Sequence, residues 1–416
     1  MRRLIYIFII GLLLCSYTWA DGSRYASKSL LSEGKWVKIR VDKTGIYKLS
    51  YADLKNMGFS DPSKVSVHGY GGWPLDEDFS KEYIDDVPST PVWRGSDYLL
   101  FYGKGPVKWE YDSSSQTFVH TNNPYSLYGY YFVTDATPTN DMTSVAQASG
   151  ATNRITTYDD YLVHEQELVS LAKSGRELYG EDFSGATPRT LSTFSSIPGI
   201  TNEDAKVTMS FVSKVTSGTG VASLSINQSN VLDVSIRSNR EEYVKALEGV
   251  STAVWKGEKS EKNSVVVSYN SASHNNVRLN YVRLHFKRTL QPYGAYTFFR
   301  SIASIGNVSR FVVQGANANT LVFDVTDAQR VRLMETELNG SELTFSIPAG
   351  TLREFVLVRT DQSFISPEVV GEVENQNLHA LEQKDMIIIA AKAFQTQAER
   401  LAEEHRATDG LPVVVV

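Results

Sequence analysis

The sequence predicts a mainly β chain, two β-rich regions followed by the opening of an α/β domain. Three observations carry this expectation. Short apolar–polar alternations bounded by turn residues recur from residue 36 to residue 359. Aromatic residues are plentiful, with 22 Tyr and 18 Phe, and sheets use such side chains in cores and cross-strand pairs. Beyond residue 375 the texture changes to an apolar run, a stretch of helical period and a second apolar run. At ~100–200 residues per domain, the length suggests two or three domains. With 42% hydrophobic and 21% charged residues, the chain is a folded protein. A net charge of -6 gives no basic footprint for nucleic acid.

The first element is an address. Arg2 and Arg3 precede an apolar run over residues 4–14, and Thr18, Trp19 and Ala20 present a cleavage site before Asp21. Residues 1–20 therefore read as a signal peptide, with a signal anchor as the alternative. The run is about half of the ~20 residues that a membrane span needs. Leu12-Leu13-Leu14-Cys15 resembles a lipoprotein site only loosely, since Leu14 is not small. Cys15 is the one cysteine, so a chain cleaved after Ala20 has none, and neither an intramolecular disulfide nor a Cys-based metal site is expected.

Residues 21–150 form the expected β-rich N-terminal domain. Residues 36–41 and 46–50 alternate about Thr44-Gly45 and read as a β-hairpin. A short helix follows over 52–57, stopped by Gly58. Strands are expected at 65–68, 97–102 and 128–134. Residues 137–153 are rich in Thr, Ser, Ala and Asn and read as a loop or linker.

Residues 151–374 form the expected β-sandwich domain, jelly-roll-like. Residues 158–171 fit a short helix or an extended bridge equally well. Strands are expected at 206–215, 223–226, 231–236, 264–269, 277–286, 311–314, 321–325, 330–335, 342–347 and 354–359. No fixed-period repeat is present, which excludes a propeller or solenoid.

Residues 375–416 read as a strand at 386–390, a helix at 393–405 and a strand at 413–416, a βαβ unit with parallel strands. Phe394, Ala398, Leu401, Ala402 and His405 share one helical face. Two parallel strands and one helix cannot bury their own faces, so the α/β domain is expected to be truncated here; docking of the unit on the sandwich is the alternative.

Local chemistry is sparse. Gly69-Tyr70-Gly71-Gly72 and Gly103-Lys104-Gly105 match no phosphate-binding pattern and read as turns. Asp76-Glu77-Asp78 and Asp85-Asp86 lack calcium-loop spacing and read as solvated acidic loops, with calcium left open. His68, His120, His164, His274, His285, His379 and His405 form no paired metal spacing and read as structural. Trp36, Trp73, Trp93 and Trp109 suit either a core or a sugar-binding face.

Several segments together resemble a known family. Gly34 to Ile39 with Thr44 to Leu49, Val67-His68-Gly69-Tyr70-Gly71-Gly72, Asp97 to Pro106, Asn123-Pro124-Tyr125-Ser126, and Asn280-Tyr281 with Arg288-Thr289-Leu290 are similar to the type IX secretion sortases, PorU-like C-terminal signal peptidases. Asn377-Leu378-His379, the run from Met386 to Ile389, residues 394–402 and Gly410-Leu411-Pro412-Val413 resemble the opening of a gingipain-type (C25) cysteine peptidase domain. The resemblance implies a surface-associated cysteine endopeptidase at the outer membrane that cleaves C-terminal signals from secreted cargo. Its implied partners are that cargo and other outer-membrane secretion components. A thiolate with a neighbouring His would do the chemistry. No Cys of the mature chain and no His occupies a matching position, so no catalytic, cofactor-binding or metal residue is assigned and the chain alone is expected to be inactive. The rival expectation is a non-enzymatic surface adhesin or glycan-binding module.

Overall fold

A computed structural model of the chain describes residues 25–78, 80–81, 85–171, 177–185, 187–238, 246–271 and 274–416. The expected signal peptide, Cys15 included, lies outside the described residues. Two compact units are present, the larger made of Val37–Glu82 and Pro88–Val373, the smaller of Met1–Trp36, Tyr83–Val87 and Glu374–Val416.

The larger unit is a stack of sheets. A five-stranded sheet runs in the order Glu368–Val373, Trp36–Val41, Gly129–Thr134, Ser66–Gly71, Ser89–Thr90. A three-stranded sheet runs Gly45–Ser50, Tyr98–Gly103, Val92–Arg94. Val37, Ile39 and Val41 of the first sheet meet Tyr47, Leu49, Leu99 and Phe101 of the second in one buried core. The expected hairpin between residues 36–41 and 46–50 is therefore not formed. Trp36–Val41 pairs with Gly129–Thr134, and Gly45–Ser50 pairs with Tyr98–Gly103. The chain instead arches from one sheet into the facing one, held by Tyr47, whose hydroxyl donates to the Lys43 carbonyl at 2.8 Å. Alternation buries one face of each strand in either arrangement, so periodicity alone does not separate them.

The short helix is Tyr51–Asn56, begun by a capping box between Ser50 and Asp53 and anchored by buried Leu54. The other face of the three-stranded sheet, carrying Ile46, Leu100 and Tyr102, packs on Phe323, Val356 and Val358 of a nine-stranded sheet. That long sheet backs two sandwiches. At one end Phe299 and Phe355 pack with Phe311 and Phe345 of a four-stranded sheet, the last two rings stacked at 4.9 Å. At the other end Met209, Phe211 and Leu279 pack with Leu224, Val234 and Val267 of a second four-stranded sheet.

Of residues 158–171 the first eight are extended and none is helical: Thr157–Glu165 is a central strand of the nine-stranded sheet, antiparallel to Val277–Thr289, and residues 166–171 lie in a loop. The expected linker at 137–153 contains the short strand Ser144–Val145 and leads into Asn153–Ile155, each pairing parallel with a sheet strand. Leu247–Trp255 shows no apolar alternation in the sequence, because Gly249 faces Val234 and Ser235 of the opposing four-stranded sheet while Val250 and Val254 are exposed.

In the smaller unit, Met386–Ile388 and Val413–Val415 pair in parallel around the helix Gln395–Glu404, the expected βαβ order. Its buried seam is narrower than the helical spacing predicts. Ala398 and Ala402 are buried beside Val413, whereas Phe394 and Leu401 are 66% and 49% exposed. Two strands offer the helix one contact line only. A clasp also belongs to this unit: the Asp85 carboxylate accepts from the Ala26 amide at 2.6 Å and from His379 Nε2 at 2.9 Å. Ser29 Oγ lies 3.0 Å from His379 Nδ1, and the Leu30 amide donates to Asp86. Among the described residues no helix is long and apolar enough to cross a membrane.

Candidate functional site

The larger unit carries a groove of about 1330 Å³. The hairpin of Val107–Asp112 and Thr117–Asn122 supplies His120 and Asn122. The nine-stranded sheet supplies Glu165, Glu248, Tyr281 and Arg283. Loops around residues 70–77 and 123–128 supply Tyr70, Trp73 and Tyr125.

Strand register explains why these side chains converge. Glu165 and Tyr281 are direct cross-strand partners, and Trp109 lies opposite His120 in the hairpin. Outside the groove wall, Trp109 stacks on Tyr161 at 4.0 Å, which fastens the hairpin to the sheet. The His120 ring is 4% exposed and meets Tyr281 edge-on at 5.0 Å. Its Nε2 lies 2.8 Å from Glu165 Oε2, while its Nδ1 has no partner. Trp73 Nε1 is a second buried polar atom without a partner.

The groove is electrostatically lopsided. Asp76, Glu77, Glu165, Glu167, Glu177 and Glu248 line it, against Arg283 and His120. Burial, and then the neighbouring Glu165 carboxylate, push the Glu167 carboxyl above its ordinary range. Burial and the Glu177 carboxylate push the Tyr179 hydroxyl up to about 12. Such a surface offers carboxylates and ring faces to a cation.

The residues singled out from the sequence disperse. Gly72 and Gly105 sit where backbones touch: a Cβ on Gly72 would come 2.7 Å from the Gly105 carbonyl carbon, and one on Gly105 2.4 Å from the Lys43 backbone. Lys104 is buried, with its ammonium 4.5 Å from the Tyr70 ring and 4.8 Å from the Trp73 ring, not facing a phosphate loop. Asp76 pairs with Lys81 at 2.6 Å, and Asp78 accepts from the Ser80 amide. No group of three or more His, Cys, Asp or Glu arranged to hold a metal is found among the described residues. His164 lies 2.7 Å from Glu181, His285 3.0 Å from Asp159 and His405 2.6 Å from Asp409. His68 lies 2.8 Å from Thr137 Oγ1, and His274 faces the Tyr269 hydroxyl. Trp36 is fully buried, Trp93 packs beside Tyr98, and Trp73 alone of the four tryptophans lines the groove. Glu165 and Glu167 lie two residues apart but match no motif, and only the fold brings Glu248 to them.

Comparison with solved structures gives a strong likeness. The crystal structure of dimeric latent PorU from Porphyromonas gingivalis matches with a TM-score of 0.87 and 32% sequence identity, covering 94% of this chain. This chain is PorU-like. The match covers 38% of the PorU chain, so the likeness extends over well under half of that protein. It agrees with the resemblance carried by the sequence motifs to the type IX sortase-related family. An uncharacterized Listeria monocytogenes protein in complex with glucose, magnesium and calcium matches at a TM-score of 0.20 and 8% identity, over 61% of this chain and 19% of that one. An Arthrobacter globiformis isomalto-dextranase complexed with panose matches at 0.18 and 9%, over 62% of this chain and 36% of that one. Neither of these two likenesses carries an argument. No family model and no curated protein matches the chain.

Proposed function

We propose that the chain is the β-rich and early α/β part of a type IX secretion sortase, a cysteine-type endopeptidase that removes C-terminal signals from secreted cargo at the cell surface. The PorU likeness over 94% of the chain is the observation that carries this reading. Cargo proteins and other outer-membrane secretion components are the proposed partners, and export by residues 1–20 the proposed route. Within this reading the nucleophile is not supplied by residues 16–416, which contain no cysteine. Their role is to build the β scaffold and to present binding surface beside the peptidase chemistry.

Genetic complementation tests the proposal. A chimaera in which residues 21–416 replace the matching part of a resident sortase, and which keeps that sortase's own nucleophile, should restore signal removal in a type IX-secreting bacterium lacking its sortase, read by the mass of secreted cargo. Cargo that keeps its C-terminal signal, despite expression of the protein at the surface, would overturn the reading.

A further inference from the structure

We propose that the groove is a docking site for an extended peptide segment bearing lysine or arginine. This goes beyond the sortase reading and does not depend on it, since peptide would bind whether or not cleavage follows.

Size comes first. At about 1330 Å³ the groove exceeds the ~300–1,000 Å³ typical of small-molecule pockets, which suits a polymer. Charge comes second. Six lining carboxylates, Glu165 and Glu167 two residues apart among them, face one arginine and one histidine, so an arriving cation offsets an excess of negative charge. Aromatic surface comes third. Tyr125 is 80% exposed at the rim, and the groove rings Tyr70, Trp73 and Tyr281 each hold an internal cation over one face, from Lys104 or Arg283. These rings are therefore placed to interact with ammonium and guanidinium groups.

Unpartnered atoms come fourth, and they favour peptide over glycan. Trp73 Nε1 is a donor only, and suits a carbonyl. His120 Nε2 lies 2.8 Å from Glu165 and its Nδ1 has no partner, a nitrogen that suits a backbone N–H or C=O according to the ring's tautomer. A polypeptide offers both groups along one backbone. An anionic polymer would instead meet a wall of like charge.

Fluorescence anisotropy on the 416-residue chain tests this, with labelled (Gly-Arg)4, labelled (Gly-Glu)4 and a labelled neutral hexasaccharide as probes. The arginine peptide should bind saturably and the other two should not. Glu167→Gln combined with Glu177→Gln, two exposed positions, should weaken arginine-peptide binding by about tenfold at low salt. Trp73→Ala should weaken it as well, while Glu337→Gln on a distant edge strand should leave it unchanged. Circular dichroism should show all variants folded. Absent arginine-peptide binding, equal binding of the glutamate peptide, binding of the hexasaccharide instead, or no effect of the Glu167/Glu177 pair would each overturn the proposal.

Discussion

Arg300 and Glu354 form an ion pair at the heart of the nine-stranded sheet, Nε to Oε2 at 2.6 Å, with the arginine side chain only 1% exposed. Arg300 also donates to the Asp159 carbonyl at 3.1 Å and lies 4.3 Å from the Tyr161 ring. Burial opposes its charge, yet Glu354, Tyr161 and Asp160 outweigh burial and strengthen its hold on the proton. Removing the cation takes away the ion-pair partner of the Glu354 carboxylate. Arg300→Met should therefore destabilise the larger unit by about 3–5 kcal/mol in urea unfolding. Adding Glu354→Leu should recover part of that loss. A single substitution within about 1 kcal/mol of wild type would count against the pair as a structural centre.

Asp159 gives the fold an acid-sensitive point. It is 1% exposed and accepts from Lys287 at 2.9 Å and from the Ile302 amide at 2.7 Å, with His285 Nε2 3.0 Å away. Burial pushes its carboxyl up, but His285, Lys287 and the Ile302 amide together bring it below the ordinary value. A lowered folded value means stability that is complete above the unfolded value, about pH 4, and lost as pH falls through the folded one. Asp159→Asn should lower stability at pH 7 and flatten the loss below about pH 4, as read by urea midpoints across pH 3–7. An unchanged acid slope would contradict the assignment.

Lys104 has the same sign of pH dependence as Asp159, in an alkaline window. Burial lowers its ammonium to about 8, while the unfolded chain protonates it up to about 10.4. Between those values the unfolded state binds more protons, so this side chain makes stability rise with pH. In Lys104→Met that part of the rise should disappear. Urea midpoints of both proteins at pH 7.5 and 10 measure it, and identical slopes would refute it.

Backbone contact at Gly129 should be unforgiving. A Cβ there would lie 2.1 Å from the Lys104 carbonyl and 2.7 Å from the Gly72 amide nitrogen. Gly129→Ala should cost about 3 kcal/mol, the range of overpacked cores. Gly350, with open space around it, should accept alanine within about 0.5 kcal/mol. Thermal unfolding of the two variants gives the comparison directly.

Much of this architecture is legible in the sequence, because a half-buried strand must alternate. Thr219–Ile226 and Val277–Thr289 show it plainly. The parallel βαβ unit is legible from its two apolar runs and the helical period between them. Pairing is less legible. Trp36–Val41 and Gly45–Ser50 look like a hairpin because alternation specifies a buried face and not the sheet it belongs to. Leu247–Trp255 hides because it turns Gly249 and Ala253 inward, leaving no apolar alternation to read. The groove is the least legible part. His120, Glu165, Glu248 and Tyr281 lie on separate strands, and the nearness of Glu165 to His120 exists only once hairpin and sheet are packed.

The central claim is that this chain supplies the β scaffold and binding surface of a PorU-like peptidase without its nucleophile. Incubating the purified 416-residue chain with a cargo C-terminal signal peptide, with and without iodoacetamide, tests it most directly. Mass spectrometry should find the peptide intact under both conditions. Cleavage that iodoacetamide abolishes would contradict the claim.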